Sequence, residues 1–402
     1  MTVAHPIARA WLSQGGVGAQ NYDEFADDNE ITEIIRANPD SALAVEMPHR
    51  TPEAVAAGHG FADALPAAAR RLAQLQQAGR FRAAEQVVAG YRIAGADGTS
   101  YGMFCMVDTD QISTSADEPG QVIRNEDVFL EKVRERTALA EATNCLLSPV
   151  LLLQTGTGDE LGAALRETLT QQGEPDAVDI DQHGREHAVW LLGPGAAADR
   201  LLAWAGGGEL IVADGNHRSL AAQTGGLSRF LAVVTTPDSV VLRPYCRLVS
   251  ELTMPASELL DRLAAAGATV ERLAEPPETP EPGQAVRLYL PGEGYEVRLP
   301  VPETADAVDS LDHAVVENTL FRAALGLDPG DKRITYVGGD YPASWLRGEV
   351  DAGRAALAVL IAPVTVDDFV SVNLNRQKMP RKSTWFTPKA RAGLVLADLS
   401  AE

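Results

Sequence analysis

Apolar and polar residues along this chain recur at two spacings, and the switches between them predict its secondary structure. Asp28 to Ala37 carries the helical period and stops at Asn38-Pro39, where a residue before proline leaves the helical region. Thr51 opens a second helix, with Pro52 at its first position and Glu53 near the start, and Gly58 and Gly60 interrupt it. Leu65 to Ala78 is rich in Ala and Leu and predicts a strong helix, Pro66 being tolerated in its first turn. Gln86–Ile93 and Ser100–Val107 read as strands around the turn Gly95-Ala96-Asp97-Gly98, and 115–120 as a loop.

Further on, helix is predicted over 126–143 and 159–172, and strand over 149–153, 188–192, 210–213 and 230–235. Strands that alternate with helices indicate an α/β core. Glu275 to Gly283 is rich in Pro and Glu and reads as a linker or exposed loop. A strand at 286–290, a helix near 311–325 and a strand near 356–361 follow. The pattern divides into three segments, 1–118, 119–255 and 256–402, of mixed α/β (α+β) character. It contains no internal repeat, heptad run or low-complexity tract.

Charge narrows the function classes. The chain has 402 residues, 34 basic against 56 acidic, a formal charge of −22. That excess argues against a general nucleic-acid or anionic-membrane surface, because phosphate backbones are held through surplus Lys and Arg. No apolar run approaches the roughly 20 residues that span a bilayer, and the first ten residues lack the charged and apolar regions of a signal peptide. Cys105, Cys145 and Cys246 are odd in number and fit no zinc or disulfide spacing, so reduced thiols and a cytoplasmic location are expected.

Candidate chemistry concentrates in three places. Ile211 to Ala222 reads IVADGNHRSLAA, a strand, a tight Gly turn and a helix start. Such a turn presents backbone N–H groups to an anion, and Arg218 and His217 add polar heads, so Gly215, Asn216, His217 and Arg218 form a candidate nucleotide-phosphate loop. An ordinary βα turn, with Asp214 capping the helix and Arg218 in an ion pair, is the alternative. Arg124-Asn125-Glu126 stands at the start of the next helix, where a carboxylate can act as a general base on a hydroxyl or simply complement the helix dipole. The segment MPRKSTWFTPK, residues 379–389, gathers Arg381, Lys382 and Lys389 beside two hydroxyls and two aromatics, a set able to hold phosphate or carboxylate. Two further strings are decoys. His183-Gly184-Arg185-Glu186-His187 has zinc-protease spacing but reads as a turn, and the third Gly after Gly156-Thr157-Gly158 comes one place late for a dinucleotide loop.

Taken in order, these segments resemble the bacterial and archaeal DUF1015 family and, through the middle segment, the ParB/sulfiredoxin-like superfamily that includes free serine kinases. Asn21-Tyr22-Asp23 and Asn38-Pro39 match its PYD and NP landmarks, Asn125-Glu126 its HE, and Gly184, His187 and Trp190 its G, H and W. Residues 214–218 stand for DGHHR, Pro244-Tyr245-Cys246-Arg247 for a PTHR-like segment and 379–389 for MPPKSTYFYPK. Asn125, Asn216 and Cys246 replace residues that are His in the family pattern, and Asn keeps hydrogen bonding without titrating near neutral pH.

The resemblance implies a ParB/sulfiredoxin-like core and an enzyme that uses ATP or ADP with Mg²⁺ to phosphorylate the hydroxyl of a free, serine-like amino acid. Glu126 is then the base, residues 214–218 hold the nucleotide phosphates, and Asp214 helps place the metal, with His217 beside it. Lys382, Ser383, Thr384 and Lys389 bind the transferred phosphoryl or the substrate carboxylate, with Asn125, Arg247 and Arg381 on the substrate side. Phosphatase or phosphotransferase chemistry on phosphoserine-like substrates, and a catalytically degenerate nucleotide-binding protein, are the alternative expectations. Neither a nucleic-acid nor a membrane partner is implied, and a homo-oligomer stays open.

Overall fold

The computed structural model describes residues 2–25, 27–113, 120–283 and 285–401; the greater part of the predicted 115–120 loop lies outside them. The fold is mixed α/β, as the periodicity predicts. The chain divides into two compact units, residues 1–241 with 388–402, and residues 242–387.

In the larger unit the apolar runs become the central strands of one extended sheet. Across it lie 112–113, 122–124, 210–214, 150–154, 229–235, 98–108, 81–95, 7–13, 395–398 and 145–146. Leu210–Asp214 runs parallel to Val122–Arg124 and antiparallel to Val150–Gln154. Its first four residues are buried, as a strand covered on both faces requires. Arg229–Thr235 pairs with Val150–Gln154 on one side and with Gly98–Asp108 on the other. Strands expected in the first two segments therefore share one sheet. Pairing of this kind joins residues far apart in the chain and leaves no trace in local periodicity. Val88, Met103, Leu152, Leu165, Leu201 and Phe230 belong to the core of this unit. No helix among the described residues is long and apolar enough to cross a membrane.

Most predicted elements appear within a residue or two. Asp28–Ala37 is helical, capped by Asp27, whose carboxylate accepts from Asn29 N–H. Pro52–Ala57 starts after Thr51, which caps Ala54 N–H, and ends at Gly58, whose φ of +67° suits glycine. The helix expected over 126–143 is an exception. It spans Leu130–Thr143, because Phe129 is held extended and its N–H bonds His217 Nε2 at 3.1 Å. A tertiary contact has overridden helical propensity here.

The smaller unit is built on a six-stranded antiparallel sheet in the order 269–272, 293–298, 285–290, 357–360, 246–249 and 334–337. The predicted helix near 311–325 is α-helical over Asp312–Val315 and continues as a π-helix over Val316–Leu325. Its His313 is buried, with Nε2 3.2 Å from the Tyr245 carbonyl. Burial, with the Arg247 guanidinium adding to it, holds the imidazole down at about 3. Between that value and the ordinary one near 6.5 the unfolded chain carries a proton that the folded chain refuses. Stability of this unit should fall as pH drops through that window, by up to about 1.4 kcal/mol per pH unit, and His313→Gln should flatten the slope. Urea unfolding from pH 7 to pH 4 checks this; an unchanged slope in the variant would refute it.

Candidate functional site

The turn after Leu210–Asp214 forms as the spacing implied. Gly215 has a φ of +93°, in the left-handed region, and Asn216–Thr224 is helical. A Cβ at Gly215 would meet Arg218 Nε at 3.0 Å and the Val150 backbone at 3.2 Å, so space as well as conformation demands glycine. The N–H groups of a helix's first turn have no intrahelical partner, which makes this end of the helix an anion-attracting one.

The charges around the turn are organised about Asp214. Its Oδ1 accepts from Lys389 Nζ at 2.9 Å and its Oδ2 from Arg218 Nη2 at 2.5 Å. All three side chains are 14% exposed or less. Arg218 also donates from Nη1 to Asn21 Oδ1 at 3.2 Å and to the Pro149 carbonyl. Burial alone would lower the pKa of the Arg218 guanidinium, but Asp214 and Asp23 more than reverse that and raise it. Lys389 behaves alike: burial opposes its charge, and Asp214 and Glu24 restore it. Arg218 thus serves first to hold Asp214 and Asn21. The Mg²⁺ role expected of Asp214 does not fit, since each of its oxygens faces a cation. Among the described residues no three His, Cys, Asp or Glu side chains group as a metal site.

Asn125 and Asn216 meet. The Asn216 amide donates to Asn125 Oδ1 at 2.5 Å, and both residues are buried. Two positions that are His in the family pattern therefore touch one another here as an amide pair. Glu126 follows, half-buried on the loop ahead of Leu130–Thr143 rather than in a first helical turn. His217 stacks on Phe129, ring centres 6.1 Å apart and planes 8° from parallel.

Arg247, Arg381, Lys382, Ser383 and Thr384 belong to the smaller unit. Arg247 is fully buried, lies 4.3 Å over the Tyr336 ring and donates to the carbonyls of Tyr245 and Arg381. Ser383 is fully buried and donates to the Pro380 carbonyl at 2.7 Å. Lys382 lies 5.7 Å over the Tyr245 ring, and Arg381 and Thr384 are half-buried. Cys246, the third of the family's replaced His positions, is a buried thiol pushed up to about 11 by desolvation, and so is a poor nucleophile.

The decoys resolve structurally. His183 sits on the turn closed by Asp181, with Gly184 at a φ of +75°, and His187 lies on the strand Glu186–Leu192, 3.2 Å from Asp181 Oδ2 and bonded to the Tyr91 hydroxyl. The N–H groups of Gly156 and Thr157 are both taken by Gln154 Oε1.

Sequence reasoning missed Glu24, Glu46 and Arg136, and gave Asn21 a place but no role. Glu24 Oε1 accepts from the backbone and side-chain nitrogens of Asn21, at 2.9 and 3.0 Å. Burial pushes the Glu24 carboxyl up to about 7; Lys389 opposes the shift, and Asp214 and Asp23 add to it. The folded chain then holds a proton that the unfolded chain releases above about 4.3. Stability of the larger unit should fall as pH rises from about 4.5 to 7, by up to about 1.4 kcal/mol per pH unit, and Glu24→Gln should remove that part of the slope. Urea midpoints across this range decide it; equal slopes in the two proteins would count against a protonated Glu24.

The site is thus an anion-attracting strand–Gly–helix turn backed by a buried carboxylate held between two cations, in a mixed α/β protein. The chain belongs to the family of proteins of unknown function DUF1015, whose profile matches residues 15–314. No curated protein matches it. Similar solved structures include a free serine kinase in complex with AMP, at 13% identity over 74% of this chain and 92% of that one, with a TM-score of 0.38. A conserved hypothetical protein from Pyrococcus furiosus is 13% identical over 72% and 95%, TM-score 0.39. SbnI with a C-terminal truncation, from Staphylococcus aureus, is 14% identical over 74% and 88%, TM-score 0.41.

Proposed function

We propose that this protein is a nucleotide-dependent kinase that phosphorylates the hydroxyl of a free, serine-like amino acid. The observation that carries the reading is the left-handed Gly215 turn into Asn216–Thr224, with Lys389 and Arg218 fixed on Asp214 beside it. Phosphoryl transfer asks mostly for alignment and neutralised charge. The first-turn N–H groups after Gly215 supply donors aligned with a helix dipole. Lys389 and Arg218 offset the charge of Asp214, with Asp23 acting on both cations and Glu24 on Lys389, so two fixed cations stand beside the turn in a chain of −22. Glu126, on the residue after Asn125, is the proposed base, its backbone anchored by the Asn125–Asn216 amide pair. The resemblance of residues 125–126 and 214–218 to the HE-like and DGHHR-like motifs of free serine kinases supports the same chemistry.

The test is the purified chain with ATP or ADP and a panel of hydroxy amino acids, read by mass spectrometry for phosphoserine and by nucleotide turnover. Product from serine is expected. No product with any acceptor, and no turnover, overturns the proposal. The amide pair in place of two titratable rings favours a second reading, a protein that binds nucleotide without turning it over; calorimetric binding with no product would establish it. Release of phosphate from phosphoserine, with no heat on nucleotide addition, would show phosphatase chemistry instead.

A further inference from the structure

A cavity of about 270 Å³ opens in the larger unit behind the helix Asn216–Thr224. Its wall is largely apolar and includes Leu139, Leu147, Ala222 and Phe230. Charged groups cluster in the same wall. Arg136 Nη2 donates to the Glu46 carbonyl at 3.1 Å, and Ser148 Oγ donates to Glu46 Oε1. Arg136, Glu46 and Arg218 all line the cavity and are all more than nine-tenths buried. The faces of the Arg136 guanidinium are used, since it lies 4.2 Å over the Tyr22 ring and 5.1 Å over Phe61. Among the described residues its in-plane donors Nε and Nη1 have no hydrogen-bond partner, nor has Arg218 Nε or Glu46 Oε2. Unpaired buried groups of this kind are costly, and in native proteins they call for an explanation.

We propose that this cavity is a binding site for a small monocarboxylate with an apolar body, its head taken by Arg136 and its tail by the leucine and phenylalanine wall. An apolar cavity of about 150 Å³ is enough to hold benzene, so a six-carbon chain or a phenyl group fits the larger volume. A carboxylate suits the head because the unpaired donors belong to guanidinium groups, which bind carboxylates with charge-assisted bonds. Burial raises the pKa of the Glu46 carboxyl, against the pull of Arg136 and its bond from Ser148, which leaves the two guanidinium groups less neutralised by it. The site is separate from the Gly215 turn. It uses Arg136, Leu139 and Ala140 on one helix and Ala221 and Ala222 on the other, and shares only Arg218 with the cluster around Asp214. It requires no kinase activity.

Hexanoate, 3-phenylpropionate and hexanol are the probes, titrated by calorimetry into the full chain. Saturable hexanoate or 3-phenylpropionate binding is expected, about 10- to 100-fold tighter than hexanol, the usual worth of charge-assisted hydrogen bonds. Ala140→Phe, which places a ring in the cavity wall away from the head, should abolish that binding while the unfolding midpoint holds. Arg136→Gln should erase the preference for the acid. Because that buried Arg also packs on Tyr22, its effect is scored only if the variant still unfolds cooperatively, and Ala140→Phe carries the test otherwise. No saturable binding of either acid, hexanol binding as tightly as hexanoate, or undiminished binding in Ala140→Phe would overturn the assignment.

Discussion

Lys389→Met should cost the larger unit about 3–5 kcal/mol of stability, the usual result of removing one member of a buried ion pair. Lys389 Nζ lies 2.9 Å from Asp214 Oδ1, the two side chains being 10% and 14% exposed. Solvent therefore screens the pair weakly, and water cannot easily replace the ammonium. Arg218 remains on the other carboxylate oxygen and keeps Asp214 ionised, which places the loss toward the lower end of that range. Glu24 adds to it, because Lys389 is the cation that holds its carboxyl down. Asp214→Asn on top of Lys389→Met leaves Arg218 without its carboxylate but strands no ammonium, so the double variant should lose less than the sum of the two single variants. A double-mutant cycle in urea measures this directly. Additivity within about 0.5 kcal/mol would mean that the pair does not interact, and would remove the charge cluster from the account of this fold.

That pair shows what was and was not legible in the sequence. Asp214-Gly215 followed by a helical run announces its own geometry, because only glycine suits a left-handed residue so tightly packed. Lys389 stood out as a basic residue in an acidic chain, yet nothing local connects it to a carboxylate 175 positions earlier. That link depends on the last residues, 395–398, pairing with Ile7–Ser13, and hence on sheet order. Glu126 was misplaced onto a helix for a similar reason. Its neighbours have helical propensity, and the competing bond from Phe129 N–H is accepted by a histidine 88 residues away. Asn21-Tyr22-Asp23 was visible as a landmark but silent about role. Its meaning lies in Asn21 reaching Arg218 and Glu24, and in Tyr22 covering Arg136. Arg136 and Glu46 carried no signal, since each looks like an ordinary surface residue of a helix until the fold buries it. Arg247 and Ser383 err the other way. They look like ligands in the sequence, and the fold spends them on backbone carbonyls.

Glu126→Gln should lower kcat for amino-acid phosphorylation by roughly 10²–10⁴, the usual contribution of a general base, and leave nucleotide affinity within about threefold. The amide keeps the shape and loses the capacity to take a proton, and bonds of Asn125 and Phe129 help to hold the loop around it. Glu24 is the competing carboxylate, because a carboxyl near 7 is also tuned for proton transfer. The two are told apart by geometry and by readout. Glu24 is buried and its Oε1 accepts from the backbone and side-chain nitrogens of Asn21, whereas Glu126 is half-buried on an irregular loop. Glu24→Gln should therefore change the pH dependence of unfolding and leave kcat within about threefold, while Glu126→Gln does the reverse. Single-turnover rates for both variants against serine at pH 6 to 9 separate these outcomes. A near-normal rate in Glu126→Gln with a collapsed rate in Glu24→Gln would move the proton acceptor to the buried cluster beside Lys389.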